Sequence, residues 1–184
     1  MNYRGVLFLL GRLLLGLGAA LLVPAGVALY FGGAEAKAFF LAAAIAGVLG
    51  VVVERLFRHG LSSPFGRREA FILVSATWVM ASVVGALPYV FIKGPGFIVD
   101  GLFESVSGFT TTGASILDNV EGESEALLLW RSLTQWFGGM GIIVLGIAVL
   151  PKLAIGGMQL LGAEAPGPVT EKLTPRIAQT AKAL

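Results

Sequence analysis

The sequence predicts an all-α integral membrane protein: an N-terminal two-helix hairpin, then one repeat of a helix, a half-length re-entrant helix with a polar loop, and a second helix. Three observations carry this. First, 56% of the 184 residues are hydrophobic and 13% are charged, with a mean hydropathy of +0.86, whereas soluble domains are about 25% charged. Second, apolar stretches run from Val6 to Phe31, Ala38 to Val53, Phe71 to Ile92 and Ala126 to Leu150, and a hydrocarbon core of about 30 Å takes roughly 20 helical residues to cross. Third, the segment between the third and fourth stretches is helical in pattern but too short to span, and it ends in "SGFTTTGAS".

The first two stretches form a hairpin joined by "GGAEAK". The alternative for the first, a cleaved signal peptide, fits less well. Its apolar run exceeds the roughly 7 to 15 residues of a signal core, and Arg12 interrupts it. "RHGLSSPFGRRE" then breaks the apolar pattern with Gly60, Pro64 and Gly66, which marks a boundary. The third helix contains Trp78 and is expected to end near Pro88 and Tyr89, with Tyr89 and Phe91 at the outer headgroup level. After a turn over Lys93 to Gly96, Ile98, Leu102, Phe103 and Val106 recur at helical spacing up to Gly108, read as the stop signal. Eleven residues at 1.5 Å each make about 16 Å, half a membrane. Such a segment enters and returns, which is tolerated only where it is buried in protein or lines water. The organisation is therefore 1–59 transmembrane hairpin, 60–69 cytoplasmic loop, 70–152 repeat, and 153–184 an amphipathic, proline-punctuated cytosolic or interfacial linker.

Basic residues set the orientation. Arg4, Arg55, Arg58, Arg67, Arg68, Lys152, Lys172, Arg176 and Lys182 put both termini and the 60–69 loop on the cytoplasmic side. The other side then carries Glu35, Asp100, Glu104, Asp118, Glu121, Glu123 and Glu125 against Lys37 and Lys93. An acidic outer surface suits a protein that receives cations, and equally suits a solvated external loop. Net charge is only +2, and topology accounts for the basic clusters, so no nucleic-acid partner is implied. With no cysteine, disulfides and thiolate metal sites are excluded.

"SGFTTTGAS" has no acid, base or thiol for bond-making chemistry. What it offers is oxygen atoms and backbone shape. A K⁺ ion stripped of water is held in known filters by rings of backbone carbonyls. Aiming successive carbonyls at one point demands conformations that glycine adopts most cheaply, the role expected of Gly113. Thr110, Thr111 and Thr112 add hydroxyl oxygens and, being β-branched, favour extended backbone. Phe109 can wedge the loop against neighbouring helices. The alternative is an ordinary Ser/Thr-rich turn or cap. In the fourth stretch, Gly138, Gly139 and Gly141 serve either close packing or a helix bend beside a pore. Arg131 either pairs with an acidic residue such as Glu104 or snorkels to the interface. His59, the lone histidine, sits in the opposite loop from Ser105, Ser107 and Ser115. A serine hydrolase is thereby disfavoured, and no enzyme is expected.

"LFESVSGFTTTGAS" followed by "QWFGGMGIIVLGIAVLP" resembles the TrkH/TrkG potassium-uptake family, relatives of KtrB. The resemblance extends through the whole chain. The N-terminal hairpin looks like the extra two-helix domain of Trk proteins, "GALPYVF" like the end of the first pore-flanking helix, and the C-terminal segment like the linker to a second repeat. It implies K⁺ transport without a cofactor in a bacterial inner membrane. Thr110, Thr111, Thr112 and Gly113 would be filter residues, with K⁺ at Thr111, Thr112 and Gly113. Phe109, Glu104 and Arg131 are candidates for pore support, and Gly138, Gly139 and Gly141 for a bend. The resemblance further implies membrane lipid, a homodimer and a cytosolic TrkA-type nucleotide-binding subunit as partners. Family members fold four such repeats around one pore, and this chain carries one. The expectation is a piece of a longer transporter, the alternatives being a homomeric pore or a non-conducting membrane scaffold.

Overall fold

A computed structural model of the chain describes residues 3–58, 66–141 and 143. The segments 59–65 and 144–184 lie outside them, and with these His59, most of the loop expected to be cytoplasmic, the end of the fourth apolar stretch and the expected linker. Among the described residues every regular element is helical. The chain divides into two compact units, 1–138 and 139–184. Within the first, α1 (Tyr3–Tyr30), α2 (Ala36–Phe57) and α3 (Arg67–Lys93) are each long and apolar enough to cross a membrane. The 12-residue α4 (Ile98–Phe109) follows a 3-10 turn over Pro95–Phe97. The helix α5 covers residues 125–141, with those from Gly139 onward in the second unit.

The hairpin of α1 and α2 packs through small residues, as helices must where lipid is as apolar as leucine. A Cβ on Gly11 would lie 2.7 Å from the Glu54 amide nitrogen, and one on Gly50 would lie 2.9 Å from the Gly11 carbonyl oxygen. Beside this contact, Arg12 pairs with Glu54 at 3.0 Å while its guanidinium sits 4.7 Å over the Phe8 ring. Farther along, Leu21, Ala25, Phe39, Ala42 and Ala46 are fully buried and merge with Tyr89, Leu127 and Trp130 into one core.

One expectation about α3 is corrected. The helix runs through Pro88 to Lys93, and Gly94, at φ +95, ends it with its amide donating to the Val90 carbonyl. Tyr89 lies in the core, fully buried. The cause is tertiary: Gly101 on α4 has no side chain, and its missing Cβ would fall 3.1 Å from the Tyr89 Cβ, so α4 covers that face. At the other end of α3, Glu69 reaches back to accept from the Gly66 amide at 3.1 Å, half of a capping box.

The helix α4 is inverted relative to one in a soluble protein. Its small and polar residues Gly101, Glu104, Ser105, Ser107 and Gly108 are buried, while Val99, Phe103 and Val106 are exposed. Outside α4, polar ties secure the segment that joins it to α5. Lys93 pairs with Glu123 at 2.6 Å. Ser124 accepts from the Leu127 amide at 3.3 Å, capping α5, and its hydroxyl donates to the Glu35 carboxylate at the start of α2.

Candidate functional site

The loop that follows α4 begins with a helix cap of particular form. Past the last helical residue, Phe109, the Thr111 amide donates to the Gly108 carbonyl at 2.9 Å and the Thr112 amide to the Ser107 carbonyl at 3.0 Å. This crossed pair is a Schellman motif, whose αL position is usually glycine. Here Thr111 occupies it, at φ +58. A β-branched residue in that region is an outlier that costs on the order of 1–3 kcal/mol and persists only where its surroundings over-determine it. Gly113 also has positive φ, +74, with open space where a Cβ would stand. Thr110 (φ −81) and Thr112 do not, so the sign of φ alternates along 110–113.

This alternation has a geometric consequence. The amides of Thr111, Thr112 and Gly113 all turn back to α4, the last reaching Ser107 O at 3.4 Å. In a trans peptide the carbonyl of one residue points opposite to the N–H of the next, and no peptide among the described residues is cis. The carbonyls of Thr110, Thr111 and Thr112 therefore all point away from α4, to one side, and residues 110–115 are exposed. Three oxygens in a row, behind them the negative end of the α4 dipole, make a surface that attracts a cation.

The expectation that Gly108 stops the helix and that the threonines run extended is corrected. Gly108 lies inside α4, and its missing Cβ would overlap the Thr134 hydroxyl of α5, so it serves packing. Thr110 and Thr111 form the turn of the cap.

Behind the loop, Glu104 is the anchor. Its side chain is 0% exposed, and one oxygen accepts from the Ser115 hydroxyl and the Ile116 amide, each at 2.7 Å. Its other oxygen is ion-paired with Arg131 of α5, beside Tyr89. Ser107 donates to the Ala114 carbonyl at 2.6 Å. The loop is thus fastened to α4 on both sides of the exposed carbonyls. Phe109 is buried edge-on to Trp130, ring centroids 6.5 Å apart, and Trp130 donates to the Gly85 carbonyl at 3.0 Å. A Cβ on Gly138 would overlap the Phe109 carbonyl oxygen, so that glycine lets α5 sit on the end of α4. Gly139 has open space where a Cβ would stand, and Gly141 is helical. Ser107, Ser115 and Trp130 were not singled out for these contacts from sequence. Each is tied to a residue several positions or a whole helix away, a separation that local pattern does not encode.

The TrkH family model, described as cation transport protein, matches residues 35–184. The TrkH potassium uptake protein of Escherichia coli K12 is 43% identical over the whole chain, and TrkG of the same organism is 44% identical over 64% of it. A crystal structure of the potassium transporter TrkH from Vibrio parahaemolyticus superimposes on the whole chain with a TM-score of 0.79 at 34% identity. The chain spans 38% of the length of the E. coli TrkH and 36% of the V. parahaemolyticus structure. The fold, the sequence and the all-helical membrane architecture agree: this chain belongs to the TrkH cation transport protein family.

Proposed function

We propose that residues 110–113 form one wall of a K⁺-selective filter in a TrkH-type uptake system, with α4 as its re-entrant pore helix. The observation that carries this is the row of carbonyls from Thr110, Thr111 and Thr112, turned to one side because the next three amides fold back on α4. A filter replaces an ion's hydration shell with such oxygens, and what it requires of the protein is that they be held in place before the ion arrives. Gly113 permits the second positive φ, and Glu104, Arg131 and Phe109 fix the loop from behind. Because Glu104 and Arg131 neutralise one another, the attraction at the wall comes from carbonyl dipoles and the helix end.

One wall cannot enclose an ion. The remaining oxygens come from further repeats, by kinship with the longer Trk proteins. The same kinship supports placement in the bacterial inner membrane with both termini cytoplasmic, residues 70–152 as the pore repeat, a homodimeric assembly and a TrkA-type cytosolic subunit. K⁺ is cargo here, not a cofactor.

The test is the ratio of K⁺ to Na⁺ flux in vesicles, with the gene that encodes this chain expressed from its complete reading frame. Gly113→Ser places a Cβ at positive φ, a penalty of about 1–2 kcal/mol. If that error falls on one ion, the ratio shifts about tenfold per 1.4 kcal/mol. An unchanged ratio in a variant that assembles and conducts overturns the reading.

A further inference from the structure

The threonine hydroxyls of the loop form a chain of their own. Thr110 Oγ1 lies 2.8 Å from the Val106 carbonyl, 3.5 Å from the Ser107 carbonyl and 2.8 Å from Thr112 Oγ1. Each hydroxyl has one proton, and a carbonyl can only accept. The Thr110 proton therefore goes to α4, and the bond between the two hydroxyls must be donated by Thr112. The direction is fixed: Thr112 to Thr110 to the Val106 carbonyl.

Resting on the filter reading above, we infer that Thr110 and Thr112 are positioning residues. Their hydroxyls brace the carbonyl row. The relay spans Thr111, the residue held at φ +58. It joins the residues on either side of that strained position and ties both to the last turn of α4, supplying part of the over-determination that such a conformation needs. To the oxygens that the sequence leads one to expect from these hydroxyls, the relay adds a bracing role. Thr110 spends its proton on α4 and accepts from Thr112, and Thr112 spends its own on Thr110.

The inference separates from a ligand role by coupling. If the relay acts as one unit, Thr112→Val and Thr110→Val each break it, and the double variant is no worse than either alone. K⁺ and Na⁺ flux are measured in vesicles for these variants, for Thr112→Ser and Thr110→Ser, which keep the hydroxyl, and for Gly113→Ser, all in the complete reading frame. Each valine variant is expected to lower the K⁺/Na⁺ ratio about tenfold, an error of about 1.4 kcal/mol. The double variant should match the singles, and each serine variant should return most of the parental ratio. The inference is overturned if either valine variant keeps the parental ratio, if serine is as damaging as valine, or if the two losses multiply in the double variant. Should Thr112→Val fail to reach the membrane, the Thr110→Val and Thr110→Ser pair decides by the same criterion. An unchanged ratio in Gly113→Ser would bring down the filter reading itself. A changed ratio there with parental valine variants would bring down only the relay.

Discussion

At the scale of single residues, the site is governed by where protons and charges are committed. Glu104 is a carboxylate without solvent exposure, held by a hydroxyl, a backbone amide and one guanidinium. Removing only the cation leaves that charge buried and unpaired, which typically costs 3–5 kcal/mol, whereas removing both partners is far milder. Arg131→Met is therefore expected to lower the thermal stability of the detergent-purified protein strongly, and Arg131→Met with Glu104→Gln to recover most of the loss. A double variant as unstable as the single would show that the two side chains are not coupled. Gly113 was legible as the residue whose backbone is special, because only glycine is cheap at positive φ. Thr111 was not. Nothing in a β-branched residue signals αL, and the Schellman bonds that hold it there are visible only once the helix end is placed.

At the scale of elements, glycine contacts decide how closely helices approach. Gly16 and Gly50 both lie inside hairpin helices, but a Cβ at Gly16 meets nothing within 4 Å, while at Gly50 it would meet the Gly11 carbonyl and the Leu15 side chain at 2.9 Å. Gly16→Ala should raise the melting temperature, since alanine is favoured over glycine in a helix by about 1 kcal/mol. Gly50→Ala should lower it. Equal shifts would mean that the hairpin is not held by this contact. Of the four stretches read as spanning, three are helices long and apolar enough to cross, and the fourth ends outside the described residues; these and the half-length α4 were readable from run length, because the bilayer imposes that length. Their ends were less so. Gly108 reads as a stop signal but lies inside α4, since its role is set by Thr134 of another helix. Pro88 and Tyr89 read as the end of α3, yet the helix runs on to Lys93, where Gly94 ends it.

At the scale of the whole molecule, the distribution of arginine and lysine gives a topology to test in a chain that has no cysteine of its own. A cysteine introduced at Ser63 should react with an impermeant thiol reagent only from the cytoplasmic side, and one at Glu121 only from outside. Labelling of Ser63→Cys from outside alone would invert the topology and put the acidic loop on the wrong face to receive cations. The central claim, that the carbonyls of Thr110 to Thr112 line the path of the ion, is tested most directly by locating the ion. Crystals of the protein made from the complete reading frame, soaked in Rb⁺ or Tl⁺ as K⁺ surrogates, should show anomalous density in contact with the carbonyl oxygens of Thr110, Thr111 or Thr112. Density confined to positions that none of these oxygens touches would contradict it.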